Sequence, residues 1–260
     1  MVKKIITLLT DFGNKDHYVA AIKGTIFSRL PDVNIVDISH DITPFNTREA
    51  AFVLSNSYKF FPKGTIHIIG VNSEASIETP HILVKADDQF FICADNGILP
   101  IVFYNKEVSI YEIDFIQESP VFTFSTKDVF AEIAILIAAG ENYSQYLRKQ
   151  EGFKKNYITF QPIINGDILQ GHILLIDNYQ NIITNITKEI FQNFVKKSPY
   201  EILVTSNKIG KISTGYSDAK EADIVVLFGS HGYLEVAMNK SNGAELLGID
   251  YRSNILVQRY

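Results

Sequence analysis

The sequence predicts an α/β protein in two parts, an N-terminal domain built on a parallel sheet and a smaller, β-barrel-like C-terminal domain. Three observations predict this. Helix-like and strand-like segments alternate through roughly the first half of the chain, the order that parallel crossover units impose. The first strand-like run, Ile5 to Leu9, is apolar but for Thr7 and stops at the polar pair Thr10-Asp11, as a buried parallel strand does at a functional edge. After Asn165 the chain turns into short strands separated by turn residues, as in a small barrel or sandwich.

The elements follow in order. After the loop DFGNKD, Tyr18 to Leu30 has helical spacing and ends at Pro31-Asp32; Ile35 to Ile38 is the next strand. Asn46 to Tyr58 is a helix with Asn46 or Thr47 as its N-cap. The turn Phe60 to Gly64 leads to a third strand, Thr65 to Val71, and Asn72 to Pro80 is a polar loop. His81 to Lys85 and Gln89 to Cys93 read as a hairpin about Ala86-Asp87-Asp88. A short helix over Ile98 to Phe103, a strand over Val108 to Ile113 and a helix over Lys127 to Ala139 follow, the last stopped by Gly140. The polar run from Glu141 to Lys155 begins a linker that ends near Phe160, giving domains at 1–155 and 165–260. The strands expected beyond it are Gly166 to Ile176, Ile182-Ile183, Ile202 to Thr205, Ile209 to Ser213, Ile224 to Phe228, Leu234 to Ala237 and Asn254 to Val257, with one helix over Ile186 to Lys196.

Bulk composition narrows the function classes. A chain of 260 residues with 46% hydrophobic content can bury a core without disulfides or a structural metal. The formal charge of -5 and the absence of a basic block give no reason to expect nucleic acid. No stretch approaches the roughly 20 apolar residues of a membrane span. The apolar run at the start meets Asp11 too soon for a signal peptide, so a cytoplasmic location is expected. The single cysteine, Cys93, lies in the strand-like FFICADNG and reads as a core residue. No metal-ligand spacing is visible, and neither a metal nor a cofactor is expected.

Asp11 is the first candidate site residue. Ligands of parallel sheets bind outside the carboxyl ends of the strands, and a carboxylate there can accept hydrogen bonds from a pair of ribose hydroxyls. The segments LTDFGNKDHYVAAIKG, PDVNIVDISHDITPFNTREAAFVL, YKFFPKGTIHIIGVN, ADNGIL and TFSTKDVFAEIA, followed by IDNYQNIITNI and FGSHGYLEVAMNKSNGAELLGI, resemble one family in order and spacing along nearly the whole chain. It is the family of S-adenosyl-L-methionine (SAM) hydroxide adenosyltransferases, the adenosine-forming SAM hydrolases, relatives of the enzymes that fluorinate and chlorinate SAM.

The resemblance implies a set of roles. Asp11 would bind the ribose hydroxyls and Asp16 would help hold the methionine end. Phe45 would wall the ribose and sulfonium. Asp177 and Asn181 would grip the amino-acid part, with Ser230 and His231 in the same pocket, His231 standing where some relatives have arginine. Asn239 and Ser241 would lie near the adenine. It also implies a homotrimer, with the pocket between the front domain of one subunit and the back domain of the next. SAM carries a sulfonium, an ammonium, a carboxylate and two ribose hydroxyls, and carboxylates, neutral hydrogen-bonding side chains and an aromatic wall suit these groups.

The catalytic positions depart from the family pattern. The family's water-activating aspartate, arginine and histidine fall at Asn72, Thr79 and Ser125. The halide-using relatives carry tyrosine, threonine and serine at Asn72, Ala75 and Thr126, and only Thr126 keeps a hydroxyl. Glu74 or Glu78 could serve as a substitute base if its loop folds over the ribose. The expectation is therefore a SAM hydrolase-like protein that yields adenosine and L-methionine. The alternatives are an inactive SAM- or adenosine-binding module, or an enzyme using another nucleophile or nucleoside.

Overall fold

The computed structural model describes residues 4–155 and 161–260. The chain divides into two compact units, Met1–Tyr157 and Ile158–Tyr260.

The first unit follows the alternation. It runs β1 (Ile5–Thr10), α1 (Tyr18–Arg29), β2 (Asn34–Ser39), α2 (Thr47–Ser57), β3 (Ile66–Gly70), β4 (His81–Ala86), β5 (Gln89–Ala94), α3 (Ile98–Val102), β6 (Ser109–Ile113), α4 (Glu132–Ala139) and β7 (Leu147–Gln150). These strands form one sheet in the order β2-β1-β3-β5-β4-β6-β7. Pairing is parallel from β2 through β5 and antiparallel beyond it, so the sheet is mixed, with its parallel half carrying Asp11. Strand alternation sorts the side chains to two faces. Ile6 and Leu8 of β1 and Ile66 and Ile68 of β3 join a core with α1 and α4, whereas Leu9 and Ile69 join another with α2 and α3. Cys93 is buried in the second core, as expected.

Three local features differ from the sequence reading. Leu147–Gln150 lies inside the polar run expected as linker, yet it pairs with β6 and closes the sheet edge. Residues 156–160 of that linker lie outside the described residues. The helix expected from Lys127 begins with a π turn over Thr126–Ala131 before α4 takes over, and Gly140 ends it at φ 74° as anticipated. Asn46 rather than Thr47 caps α2: its side chain accepts from Glu49 N.

The second unit runs β8 (Ile163–Asn165), β9 (Ile168–Ile176), β10 (Ile182–Thr187), α5 (Lys188–Val195), β11 (Tyr200–Val204), β12 (Asn207–Ile209), β13 (Ile224–Phe228), β14 (Tyr233–Met238), α6 (Gly243–Leu247) and β15 (Asn254–Arg259). Its strands make a near-barrel in the order β12-β11-β15-β9-β10-β14-β13, with β8 on β9. The first expected strand starts at Ile168 instead of Gly166, because Gly166, at φ 57°, turns the chain between β8, which the sequence reading did not anticipate, and β9. Thr187 caps α5 through a bond from Ile190 N, which starts the helix later than Ile186. Phe191, Phe194 and Val195 of α5 pack into the barrel core with Leu169, Ile202 and Ile255.

Candidate functional site

Asp11 stands just beyond β1, where the parallel strands end. Its Oδ2 accepts the backbone N–H of Phe45 at 2.8 Å and that of Asn72 at 3.4 Å. Both donors have left-handed backbones, φ 65° for Phe45 and 46° for Asn72. Asparagine tolerates that region, whereas a bulky residue does so at a cost. Two separate loops are thus held in unusual conformations while donating to one carboxylate oxygen. Among the described residues Oδ1 takes no hydrogen bond.

The supports of these loops are specific. Glu49 Oε2 accepts from Thr43 N and Asn46 Nδ2, which clamps the loop bearing Phe45 onto the start of α2. Asn96, buried in the ADNG turn, donates Nδ2 to the carbonyls of both Val71 and Asn72. His81 Nε2 donates to Ser73 O at 3.1 Å, and burial lowers the pKa of this imidazole despite that bond. On the other side Thr10 Oγ1 accepts from Phe12 N and is hydrogen-bonded to His40 Nδ1 at 2.8 Å, while Gly13 N donates to His40 O. Asp11 therefore sits on a loop fastened at both ends.

The other expected N-terminal residues fall out unevenly. Phe45 is 73% exposed, a position open to a ligand. Ser125 and Thr126 are buried at the π turn, and Thr126 Oγ1 donates to Ser73 Oγ at 3.0 Å, which ties the Asn72 loop to that turn. Thr79 is engaged within its own loop, with Oγ1 2.8 Å from Ser76 Oγ, and among the described residues it makes no hydrogen bond to Asp11. Asp16 is exposed and accepts only from Tyr18 N among the described residues. Glu74 and Glu78 are exposed. His67 of β3 is fully buried between Thr7 and Gln89. Phe12, Tyr18 and Phe124 form an aromatic cluster beside the loop, with centroids 5.1–6.0 Å apart.

The second unit contains a pocket of about 750 Å³ lined by Asp177, Asn181, Tyr216, Asn239, Lys240 and Ser241, among others. Four of the six residues expected there line it. Asp177 is the hub of the turn after β9. Its Oδ1 accepts from Tyr179 N and Asn181 N, and its Oδ2 accepts from Asn181 Nδ2 at 3.0 Å. Ser230 and His231 occupy the β13–β14 turn and do not line the pocket; His231 alone is linked to it, for its Nε2 lies 3.1 Å from Glu235 Oε2 and Glu235 Oε1 accepts from the pocket's Tyr216 at 2.7 Å. Sequence reasoning missed Tyr216, Glu235 and Lys240. A glutamate between Leu234 and Val236 in a strand was the one available signal. Among the described residues no three His, Cys, Asp or Glu side chains gather as metal ligands, and no helix is long and apolar enough to cross a membrane.

A carboxylate at a strand end of an α/β unit and an amide-rich pocket in a near-barrel unit define the class: a two-unit α/β protein with polar side chains gathered at both places. The chain belongs to the SAM hydroxide adenosyltransferase family, residues 6–146 matching its N-terminal domain and 171–256 its C-terminal domain. It is 28% identical over 262 residues to an (R)-S-adenosyl-L-methionine hydrolase of Methanocaldococcus jannaschii, covering 96% of this chain and 94% of that one. It is 24% identical over 278 residues to a fluorinase of Actinopolyspora mzabensis, covering 92% of each. The crystal structure of an uncharacterized conserved protein from Thermotoga maritima superposes with a TM-score of 0.86 at 27% identity, covering 98% of this chain and all of that one.

Proposed function

We propose that the chain binds SAM and hydrolyses it to adenosine and L-methionine. The observation that carries this reading is Asp11: one carboxylate oxygen is held by two loops in left-handed conformations, and the other takes no hydrogen bond among the described residues. A ribose diol needs such an acceptor at such a strand end. The Asp177–Asn181 turn supplies the acceptor for the ammonium of the amino-acid end. The family's hydrolases and fluorinases support SAM as the ligand.

In the reaction a water oxygen bonds to the ribose C5′ as the C5′–S bond breaks. The electron pair goes to sulfur, which becomes the neutral thioether of methionine, and the proton of the attacking water passes to solvent. The leaving group is good, so in-line placement of water supplies most of the acceleration. Asn72 and Ser125 can hold a water by hydrogen bonds but cannot deprotonate it as a carboxylate or imidazole would. Turnover is therefore slow. In this reading the active assembly is a homotrimer in the cytoplasm, and light scattering is expected to give three times the 29.3 kDa chain.

A second reading, SAM binding without turnover, is favoured by Thr79, a hydroxyl that carries no guanidinium charge and is engaged with Ser76. One experiment separates the two. Purified protein is incubated with SAM and adenosine is followed by chromatography, with Asp11→Ala as control and calorimetry on the same preparations. Adenosine formed by the wild type and lost in the control supports the hydrolase. Binding without adenosine leaves the binding module. No binding overturns both.

A further inference from the structure

His40 is a buried imidazole for which the proposed reaction has no role. It lies just past β2, 4% exposed, beside the turn that carries Asp11. A bulge puts it there. β2 pairs with β1 through Asp37 and Leu8 and then through Ser39 and Leu9, so Ile38 is an extra residue and the register moves on by one. In a regular strand the side chains of residues 37 and 40 point to opposite faces. The bulge re-aims them, and His40 Nε2 lies 3.1 Å from Asp37 Oδ1. Asp37 Oδ2 in turn lies 2.5 Å from Lys23 Nζ of α1.

The direction of this chain of contacts follows from donors and acceptors. The contact between Nε2 and Asp37 is off the hydrogen-bond line and acts by charge. A carboxylate oxygen at that distance favours a hydrogen on Nε2 over a lone pair. In the neutral ring Nδ1 is then an acceptor. Its partner at 2.8 Å is the hydroxyl of Thr10, the last residue of β1, which gives its hydrogen to Nδ1 and keeps a lone pair for Phe12 N at 3.4 Å. The carbonyl of His40 accepts from Gly13 N at 2.7 Å. One residue thus fastens the chain on both sides of Asp11, by its ring before it and by its backbone after it.

The same loop also grips the carboxylate itself, since Phe45 N donates to Asp11 Oδ2 at 2.8 Å. Asp11 is held to the segment after β2 twice, through its backbone by His40 and through its side chain by Phe45. A hydroxyl, an imidazole and a carboxylate in series are also the parts of a nucleophilic relay. Thr10 is fully buried, however, so its hydroxyl does not meet a ligand, and the series orients rather than reacts.

We propose that His40, set by Asp37, is a positioning residue for ligand binding: acting through Thr10, it aims the Asp11 oxygen that takes no hydrogen bond among the described residues at the ligand's ribose diol. The inference rests on the diol-binding role proposed for Asp11 and adds the device that sets its direction.

Calorimetric titration with two probes tests it: adenosine, and 2′,3′-dideoxyadenosine, which lacks both hydroxyls. His40→Asn places an amide oxygen where Nδ1 lies, able to accept from Thr10. His40→Gln carries its amide on toward Asp37 and leaves Thr10 without that acceptor. Thr10→Val deletes the hydroxyl and keeps the shape. The expected result is that His40→Gln and Thr10→Val each weaken adenosine roughly tenfold and leave dideoxyadenosine unchanged, while His40→Asn stays close to wild type with both probes. Equal weakening of the two probes by His40→Gln and Thr10→Val would mean a merely structural contact and overturns the inference. So does no change in either, or a loss in His40→Asn as large as that in His40→Gln. The underlying reading fails in a different place, in the wild type: if the unaltered protein binds the two probes equally, Asp11 does not read the diol, and the inference falls with it.

Discussion

At the scale of single residues, the site is made by pairs of groups that commit each other. Asp11 commits Oδ2 to two backbone donors, which leaves Oδ1 as the acceptor that the proposed ribose contact uses. Asn72 joins architecture to the proposed chemistry: its N–H helps hold Asp11, and by the family resemblance its side chain would stand at the water-activating position. Asn72→Asp restores a carboxylate there, and aspartate tolerates φ 46° nearly as well as asparagine. The expected outcome is a rise in adenosine formation of roughly 10- to 100-fold at saturating SAM, measured by chromatography. An unchanged rate would show that the water is not placed beside residue 72. Gly229 is a second such point. Gly229→Ala forces its methyl onto His231 and Glu235, and overpacking of this kind costs about 1–3 kcal/mol. Chemical denaturation should show that loss in the urea midpoint, and a midpoint within error of wild type would mean that the β13–β14 turn relaxes freely.

At the scale of elements, the end of β3 and the π turn over Thr126–Ala131 meet at a distance that leaves no spare volume. A Cβ on Gly70 would come 2.8 Å from both Thr126 Cγ2 and Thr126 Oγ1. Gly70→Ala should lower Tm by several degrees, and combining it with Thr126→Ala should cost less than the sum of the two single changes, since the second removes the atoms the first collides with. Strict additivity in thermal melts would refute the direct contact. Much of this scaffold was legible in the sequence. The apolar runs of β1 and β3, the cap at Asn46 and the stop at Gly140 announce themselves through local patterns that tertiary packing reinforces. The strand Leu147–Gln150 did not, because it pairs with β6 alone and its Arg148 and Lys149 are exposed, so its composition is that of a loop. The site was half legible for the same reason. Asp11 and Asp177 each follow an apolar strand and so mark its end, whereas Tyr216 and Glu235 are 19 residues apart and meet only because the β13–β14 hairpin folds back. Nothing local in GYSDAK signals that contact.

At the scale of the whole molecule, stability and acidity are linked through one buried ring. His67 lies in β3, fully buried and stacked on Phe91 at 4.6 Å. Gln89 Nε2 donates to Phe61 O, so Gln89 Oε1 is an acceptor and takes the proton of His67 Nε2 at 2.6 Å. Nδ1 is then left to accept from Thr7 Oγ1 at 2.7 Å. Both nitrogens are used by the neutral imidazole, and a second proton has nowhere to go. Burial accordingly lowers the pKa to about 4 from an ordinary 6.5, with the Gln89 bond opposing only in part. The unfolded chain takes up a proton on this ring near pH 6.5, whereas the native state does so only near pH 4. Between these values the unfolded state holds more protons, so stability is full above about 6.5 and falls as the solution is acidified, by roughly 3 kcal/mol over the whole window. His81, also lowered by burial, acts in the same direction. Asp37 and Asp87 have pKa values below the usual 3.8 and lose their contributions only at lower pH. Urea titrations at pH 7.5 and pH 5 therefore isolate the histidines. The wild type should lose stability on going to pH 5, and His67→Gln, less stable at pH 7.5, should lose distinctly less. Parallel losses in the two proteins would show that the ring at the centre of the sheet does not control the acid limit of the fold.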